Sequence, residues 1–260
     1  MSLYQGQTAL ITGASGGLGA AFAQELAARG MNTILVARST DKLQALATEL
    51  TTKYQQRNDV IALDLVPAGA AANLASKVAD LGLQVDLLVN NAGFATYGQF
   101  ETIAAQRDQD QISLNITTLV DLCHIFIPQM LERKAGSIIN LSSVVGFQPV
   151  PYMAVYAASK AFVLSFSEGL WAEYGDRGIR VIALCPGATA TSFHAVAGQP
   201  VPDRISTPTE VVKAGLKALE HQQSYVIPGW MNFFLSGIVP RLLPRKMTTL
   251  VAKGMMKPKG

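Results

Sequence analysis

Tyr156 and Lys160 stand four residues apart in the run Tyr-Ala-Ala-Ser-Lys. On a helix that spacing places two side chains one above the other on a single face. An ammonium held beside a phenol favours the phenolate, so the tyrosine pKa is expected to fall from its usual value near about 10. A phenol tuned in this way can pass a proton to or from a reacting oxygen near neutral pH. Tyr and Lys also meet at this spacing by chance, as a core-edge tyrosine and a solvated lysine. The weight therefore rests on what the rest of the chain places around them.

A second group of residues suits an anion. Thr12-Gly-Ala-Ser-Gly-Gly-Leu-Gly19 follows the short apolar run Thr8–Thr12 and precedes Leu18, Phe22 and Leu26, which recur every four residues as one helical stripe. A strand therefore runs into a glycine loop that opens a helix. Gly13 lets the chain turn sharply. Gly17 and Gly19 let a pyrophosphate and the sheet approach the helix N-terminus. The spacing is TGxxxGxG rather than GxGxxG.

Further elements must position these two groups. Apolar runs predict strands at Thr33–Ala37, Asp59–Leu65, Asp86–Asn90, Ser137–Ser143, Arg180–Pro186 and Tyr225–Pro228. Helical patterns separate them. One helix carries Leu43, Leu46 and Leu50, another Leu74 and Val78. A long one over 107–133 has the stripe Ile112, Ile116, Leu119, Cys123, Phe126 and Met130, and the Tyr156 helix continues through Phe162, Phe166 and Leu170. Thr207, Pro208 and Glu210 form a capping box for a further helix. Strict β-α alternation with near-continuous apolar strands predicts an α/β fold. It is a single-domain, doubly wound, parallel seven-stranded sheet of Rossmann type with helices on both faces. Ligands of such sheets bind beyond the carboxyl ends of the strands, where strand order reverses. Every candidate motif falls there.

The glycine loop, Asn90-Asn-Ala-Gly93, Ser143, Tyr156-x-x-x-Lys160 and Pro186-Gly187 together resemble the short-chain dehydrogenase/reductase family, over about Tyr4 to Pro228. Ser143 lies 13 residues before Tyr156, the usual interval in that family. The resemblance implies that Tyr156 is the general acid in carbonyl reduction, that Lys160 lowers its pKa and binds the nicotinamide ribose, and that Ser143 steadies the developing oxyanion. Ser142 is the alternative serine. Asn115 resembles the fourth catalytic residue, which positions a water linking the lysine to solvent. Asn91, Ala92 and Gly93 resemble the segment beside the adenosine half of the cofactor, and Asp64 with Leu65 the residues that meet the adenine. Pro186, Gly187 and Thr191 resemble the loop over the nicotinamide, and Gly13, Ser15, Gly17, Leu18 and Gly19 the phosphate cradle.

The cofactor has a physical handle. An acid at the end of the second strand would repel a 2′-phosphate, but Ala37 and Arg38 stand there, with Ser15 and Ser39 able to add hydroxyl contacts. NADP(H) is expected over NAD(H). The pocket is expected between Phe94–Gly98, Val144–Met153 and the substrate loop 188–207. Phe94, Phe147, Met153 and Phe193 would line it, and His194 would be a polar contact for an apolar ketone, aldehyde or acyl group. The competing class is a dinucleotide-binding regulatory or scaffold protein without turnover, against which the intact Ser143, Tyr156 and Lys160 argue.

The net charge of +3 gives no general case for nucleic acid, but the charge is uneven. Residues 221–260 carry Arg241, Arg245, Lys246, Lys253, Lys257 and Lys259 and no acid. This basic, apolar C-terminal extension, 230–260, has two readings. It is a cover for the substrate mouth or a subunit contact, or it is an amphipathic surface resting on anionic lipid. Cys123 and Cys185 sit in apolar runs without metal-ligand spacing, which suits buried, reduced thiols in a cytoplasmic protein. No basic segment followed by an apolar run suggests a signal peptide at the N-terminus. A homodimer or homotetramer is expected from the family, through the helices around 107–133 and 152–175.

Overall fold

In the computed structural model, residues 3–198 and 205–257 are described. Among them, seven strands form one parallel sheet in the order β3-β2-β1-β4-β5-β6-β7. They are β1 (Thr8–Thr12), β2 (Asn32–Ala37), β3 (Asn58–Ala62), β4 (Leu87–Asn90), β5 (Gly136–Leu141), β6 (Ile179–Leu184) and β7 (Tyr225–Val226). The chain starts in mid-sheet, builds outward to β3, then returns to lay β4 on the other side of β1. Strand order therefore reverses between β1 and β4, and a crevice opens beyond their carboxyl ends.

Both faces are covered, which explains the unbroken apolar strands. Alternate residues of β1 serve opposite layers. Ala9 and Ile11 pack with Phe22 and Leu26 of α1 (Gly17–Ala28), Leu43 and Leu50 of α2 (Thr40–Tyr54), and Val212 and Leu216 of α8 (Pro208–Glu220). Leu10 faces Leu74 of α3 (Ala70–Asp80), Phe126 of α5 (Thr118–Arg133) and Val163 of α6 (Ala154–Tyr174). In chain order the other helices are α4 (Ala105–Ile112), α5 (Thr118–Arg133), α6 (Ala154–Tyr174), α7 (Phe193–Ala197) and α8 (Pro208–Glu220). The extension follows as α9 (Trp230–Asn232), α10 (Val239–Leu242) and α11 (Arg245–Met256). The capping box closes α8 as expected: the Glu210 amide donates to Thr207 Oγ1 at 3.3 Å, and the Thr207 amide donates to Glu210 Oε2 at 2.9 Å.

Two expectations need correction. The helix over 107–133 is not uniform. A π-helical turn, Ser113–Thr117, joins α4 to α5. It shifts the phase, so Ile112 is exposed while Asp108, Gln111 and Asn115 point inward. The strands β3, β5, β6 and β7 also stop earlier than their apolar runs. Asp64 and Leu65 lie beyond β3, and Ser142 and Ser143 beyond β5. The helix Ala105–Arg133 is long and apolar enough to cross a bilayer, but Leu119, Leu122, Phe126 and Met130 are buried in the core.

Candidate active site

The glycine loop is built by close approach. Gly13 and Gly17 have φ of +69° and +55°, where a side chain would be strained. A Cβ on Gly19 would collide with the Gly13 carbonyl oxygen and stand 2.7 Å from Asn91 Nδ2. The Ala14 amide donates to Val36 O at 3.1 Å, tying the loop to β2. Helix α1 opens with no acid in its first turn and no side chain capping its amides, so its N-terminus suits an anion. The cradle thus fits a dinucleotide pyrophosphate.

Thr12 clamps this crevice and was not among the sequence candidates. Its hydroxyl donates to Val89 O at 3.2 Å and accepts from the amides of Asn91 at 3.0 Å and Ala92 at 2.9 Å. Asn91 Nδ2 returns to Thr12 O at 2.8 Å and Gly13 O at 3.3 Å. One hydroxyl thus joins the ends of β1 and β4. Its only sequence signal was a hydroxyl residue at a strand end just before the loop. Thr12→Val keeps the shape but strips two amides of their acceptor. It is expected to lower stability by about 1–3 kcal/mol and to weaken NADPH binding by about tenfold. Thermal melts and fluorescence titration check this.

Across the crevice, the first two turns of α6 carry Tyr156 and Lys160, both buried. Lys160 Nζ lies 5.7 Å from the centre of the Tyr156 ring and donates to Leu141 O at 2.7 Å. The paired serines separate clearly. Ser142 donates to Lys160 O at 2.7 Å, holding α6 against β5, whereas Ser143 faces the Tyr156 hydroxyl and favours its ionised form. Ser143 Oγ also lies 3.4 Å from Pro186 O.

The expected fall in the Tyr156 pKa is not what this geometry produces. Burial pushes the phenol above its ordinary value, and the Ser143 hydrogen bond offsets that in part. Burial pushes the Lys160 ammonium down to about 8, with Cys185 acting in the opposite direction. The helical spacing was legible in sequence; the shared desolvation and the turn of Nζ toward Leu141 were not.

Asn115 is buried in the π-helical turn. Its Oδ1 accepts from the Phe94 amide at 3.2 Å, and its Nδ2 donates to Phe94 O at 3.0 Å and Ser159 Oγ at 3.2 Å. A Cβ on Gly93 would stand 2.8 Å from Asn115 Oδ1 and 3.6 Å from Lys160 Nζ. The bare backbone at 93 therefore lets the amide and the ammonium approach. π-turns recur at functional sites because they re-aim one side chain.

The structure places Asn115 and Lys160 beside Gly93, with Tyr156 above Lys160 and Ser143 facing the phenol. Other candidates line the rim. Arg38 and Ser39 are exposed just beyond β2, with Ser39 at the start of α2. Asp64 is exposed and accepts from the Val66 amide at 3.1 Å, while Leu65 is buried and its carbonyl accepts from Thr118 Oγ1 at 2.7 Å. Ser15 and Leu18 are half-buried on the glycine loop. Thr191 packs over Gly17, 3.1 Å from where a Cβ would stand. A Cβ on Gly187 would press on Asn232 Nδ2 at 2.6 Å, so the turn after Pro186 abuts α9.

The pocket lining is partly as expected. Phe193 stacks obliquely on Tyr156 at 5.5 Å, and Met153 is buried in the same cluster with Ala95, Val150 and Ala197. Phe147 belongs elsewhere: it packs on Tyr225 at 5.7 Å beside Ile227. Phe94 carries the Arg107 guanidinium 4.4 Å above its ring. The His194 side chain, residues 199–204 of the substrate loop and Pro258, Lys259 and Gly260 of the extension lie outside the described residues. The loop's base is fastened by a parallel bridge between Thr189 and Ser206. The segment Phe94–Gly98 and a covering extension were expected at the pocket, but the pairing of Tyr97 with Met256 was not. Met256 joins the Tyr156 cluster, and the Tyr97 hydroxyl donates to Met256 O at 3.0 Å. Nothing local links residues 97 and 256, so no spacing rule could have found them.

Comparisons with known proteins show the family. The short chain dehydrogenase family model matches residues 7–200. A very-long-chain 3-oxoacyl-CoA reductase from Anas platyrhynchos is 37% identical over 97% of this chain and 83% of its own length. The short-chain dehydrogenase of Sphingobium yanoikuyae, solved in complex with NADPH, superposes with a TM-score of 0.82 at 32% identity, covering 98% of this chain and 96% of that one. The bulky-bulky ketone specific alcohol dehydrogenase of Comamonas testosteroni has a TM-score of 0.78 at 32% identity, over 97% and 95% of the two chains. With most of its length matched by that model and a curated relative aligned nearly end to end, the chain belongs to the short-chain dehydrogenase family of oxidoreductases.

Proposed function

We propose that this enzyme uses NADPH to reduce the carbonyl of a large apolar substrate, a 3-oxoacyl thioester or a bulky ketone. The observation that carries the reading is the setting of the Tyr156 phenol. Ser143 touches its hydroxyl, Lys160 lies beneath its ring, and Ala95, Val150, Met153, Phe193, Ala197 and Met256 enclose it in apolar surface. The names of the Anas and Comamonas relatives point to carbonyl substrates of that bulk.

NADPH, when bound, supplies the hydride that reaches the carbonyl carbon. The chain supplies the rest. Tyr156, fully protonated at neutral pH because burial raises its pKa, donates its proton to the carbonyl oxygen, so the product is the neutral alcohol. Ser143 Oγ, already within reach of that phenol, holds the same oxygen as it gains charge. The Lys160 ammonium stabilises the phenolate left behind. Asn115 grips both backbone groups of Phe94 and so fixes the Gly93 wall against Lys160. Arg38, exposed at the end of β2, would meet the 2′-phosphate, with Ser39 and Ser15 near it. Asp64 and Leu65 would flank the adenine, and Pro186, Gly187 and Thr191 the nicotinamide. We further propose a homo-oligomer through α5 and α6, on whose surface Phe162 and Trp171 are exposed, in a reducing cytoplasm that suits two free buried cysteines.

NADPH oxidation followed by absorbance with long and short 3-oxoacyl thioesters and diaryl ketones tests the activity. Turnover that rises with apolar bulk is expected; no turnover with any of them would leave a nucleotide-binding protein instead. Arg38→Asp is expected to shift the NADPH:NADH ratio of kcat/KM by about 100-fold toward NADH, through loss of a charge-assisted contact and gain of a repulsive one. An unchanged ratio removes Arg38 from the cofactor site.

A further inference from the structure

Helix α11 is built inside out. A helix lying on a protein surface usually buries its apolar row and shows its polar one. In α11 the inward row is Thr248, Ala252 and Met256, and the outward row, at the same four-residue spacing, is Met247, Val251 and Met255, with Leu250 beside it. Lys246 and Lys253, seven residues apart, flank the outward row on one side, and both are exposed. The preceding segment repeats the pattern. Trp230 and Leu242 are each 77% exposed, and Arg241 adjoins Leu242. Among the described residues, ten of the sixteen exposed large apolar side chains fall between 230 and 257, a stretch without one acid. Scattered exposed apolar residues are ordinary, but this concentration in one basic segment is not.

We infer that residues 230–257 form a docking surface for an anionic lipid bilayer. Charge selects the occupant. Five exposed cations without a carboxylate repel an identical copy of the same surface, whereas anionic headgroups complement them and acyl chains accept the Met, Leu and Val row. The two faces of α11 then divide the work. The inner row ends in Met256, which packs on the cluster around Tyr156 with its carbonyl held by Tyr97, and the outer row meets the membrane. A substrate dissolved in the bilayer would enter beside the site rather than through water. That last step rests on the proposed apolar substrate; the docking itself does not.

Flotation of the full-length protein with phosphatidylglycerol/phosphatidylcholine vesicles, compared with pure phosphatidylcholine, tests this. Binding is expected to the anionic vesicles and to be lost in roughly 0.5 M salt, where screening acts within about 4 Å. Lys246→Glu with Lys253→Glu should weaken it by about 100-fold while turnover of a short, soluble ketone is kept. Leu250→Ser with Val251→Ser should weaken it even at low salt. Absence of flotation at low salt, or equal flotation with neutral vesicles, overturns the inference. So does a lipid-free dimer, seen by light scattering, that dissociates with Leu250→Ser and Val251→Ser, since the face would then belong to a second copy.

Discussion

Tyr156→Phe is expected to lower kcat by about 10³-fold, with NADPH affinity and melting temperature kept. The change removes one oxygen. The ring stays in its apolar cluster against Phe193, and Ser143, which faces the lost hydroxyl, retains Pro186 O within reach at 3.4 Å. A merely structural tyrosine would show the reverse, a changed melt and near-normal turnover. Stopped-flow single turnovers with the variant separate the two.

The pH profile follows from the same pair. Reduction needs a protonated phenol, which burial secures, and a charged Lys160, whose pKa burial pushes down to about 8. The rate is therefore expected to hold near neutrality and to fall as pH rises through about 8. Stability responds in the opposite direction. Lys160 binds its proton less readily when folded than when unfolded, where its value is 10.5, so between 8 and 10.5 the unfolded chain holds more protons. From this group alone, stability should rise across that window, by an upper bound of about 3 kcal/mol. Paired activity and urea-denaturation series at each pH would show the two curves diverging.

Gly19→Ala should be nearly as damaging, through binding rather than chemistry. The added methyl would collide with the Gly13 carbonyl and press on Asn91 Nδ2. Both neighbours are themselves pinned, Gly13 by its left-handed turn and Asn91 by its bonds to Thr12. Relief therefore requires α1 to move away from the end of β1, which opens the cradle. A loss of about 100-fold in NADPH affinity and about 2–3 kcal/mol of stability is expected. Gly16 is the internal control. Its φ of 172° is ordinary extended backbone and nothing lies within 4 Å of its Cβ position, so Gly16→Ala should fold normally.

Short-range spacing made most of this architecture readable. The β-α alternation, the glycine loop and the α8 capping box each depend on residues a few positions apart, and each appears where its pattern placed it. Features set by contacts between distant residues were not readable. Periodicity put Ile112 in the core because it assumed uniform winding, and the π-turn moved it out. Phe147 is an aromatic in the right loop, yet Tyr225 claims it. The direction of the Tyr156 shift depends on burial that no pair of residues encodes. Met256 reaches the Tyr156 cluster only because the whole extension folds back.

The widened turn at Ser113–Thr117 also sets a rule for transplanting this segment. It holds one residue more than regular winding allows, and each residue turns a helix by about 100°. Excising Leu114 would straighten the rod and throw the Asp108 and Gln111 edge out of line with the Leu119 and Phe126 edge, leaving the Asn115 amide able to follow one of them but not both. The surplus residue and the amide are thus a single portable part, and a scaffold that borrows one without the other receives neither.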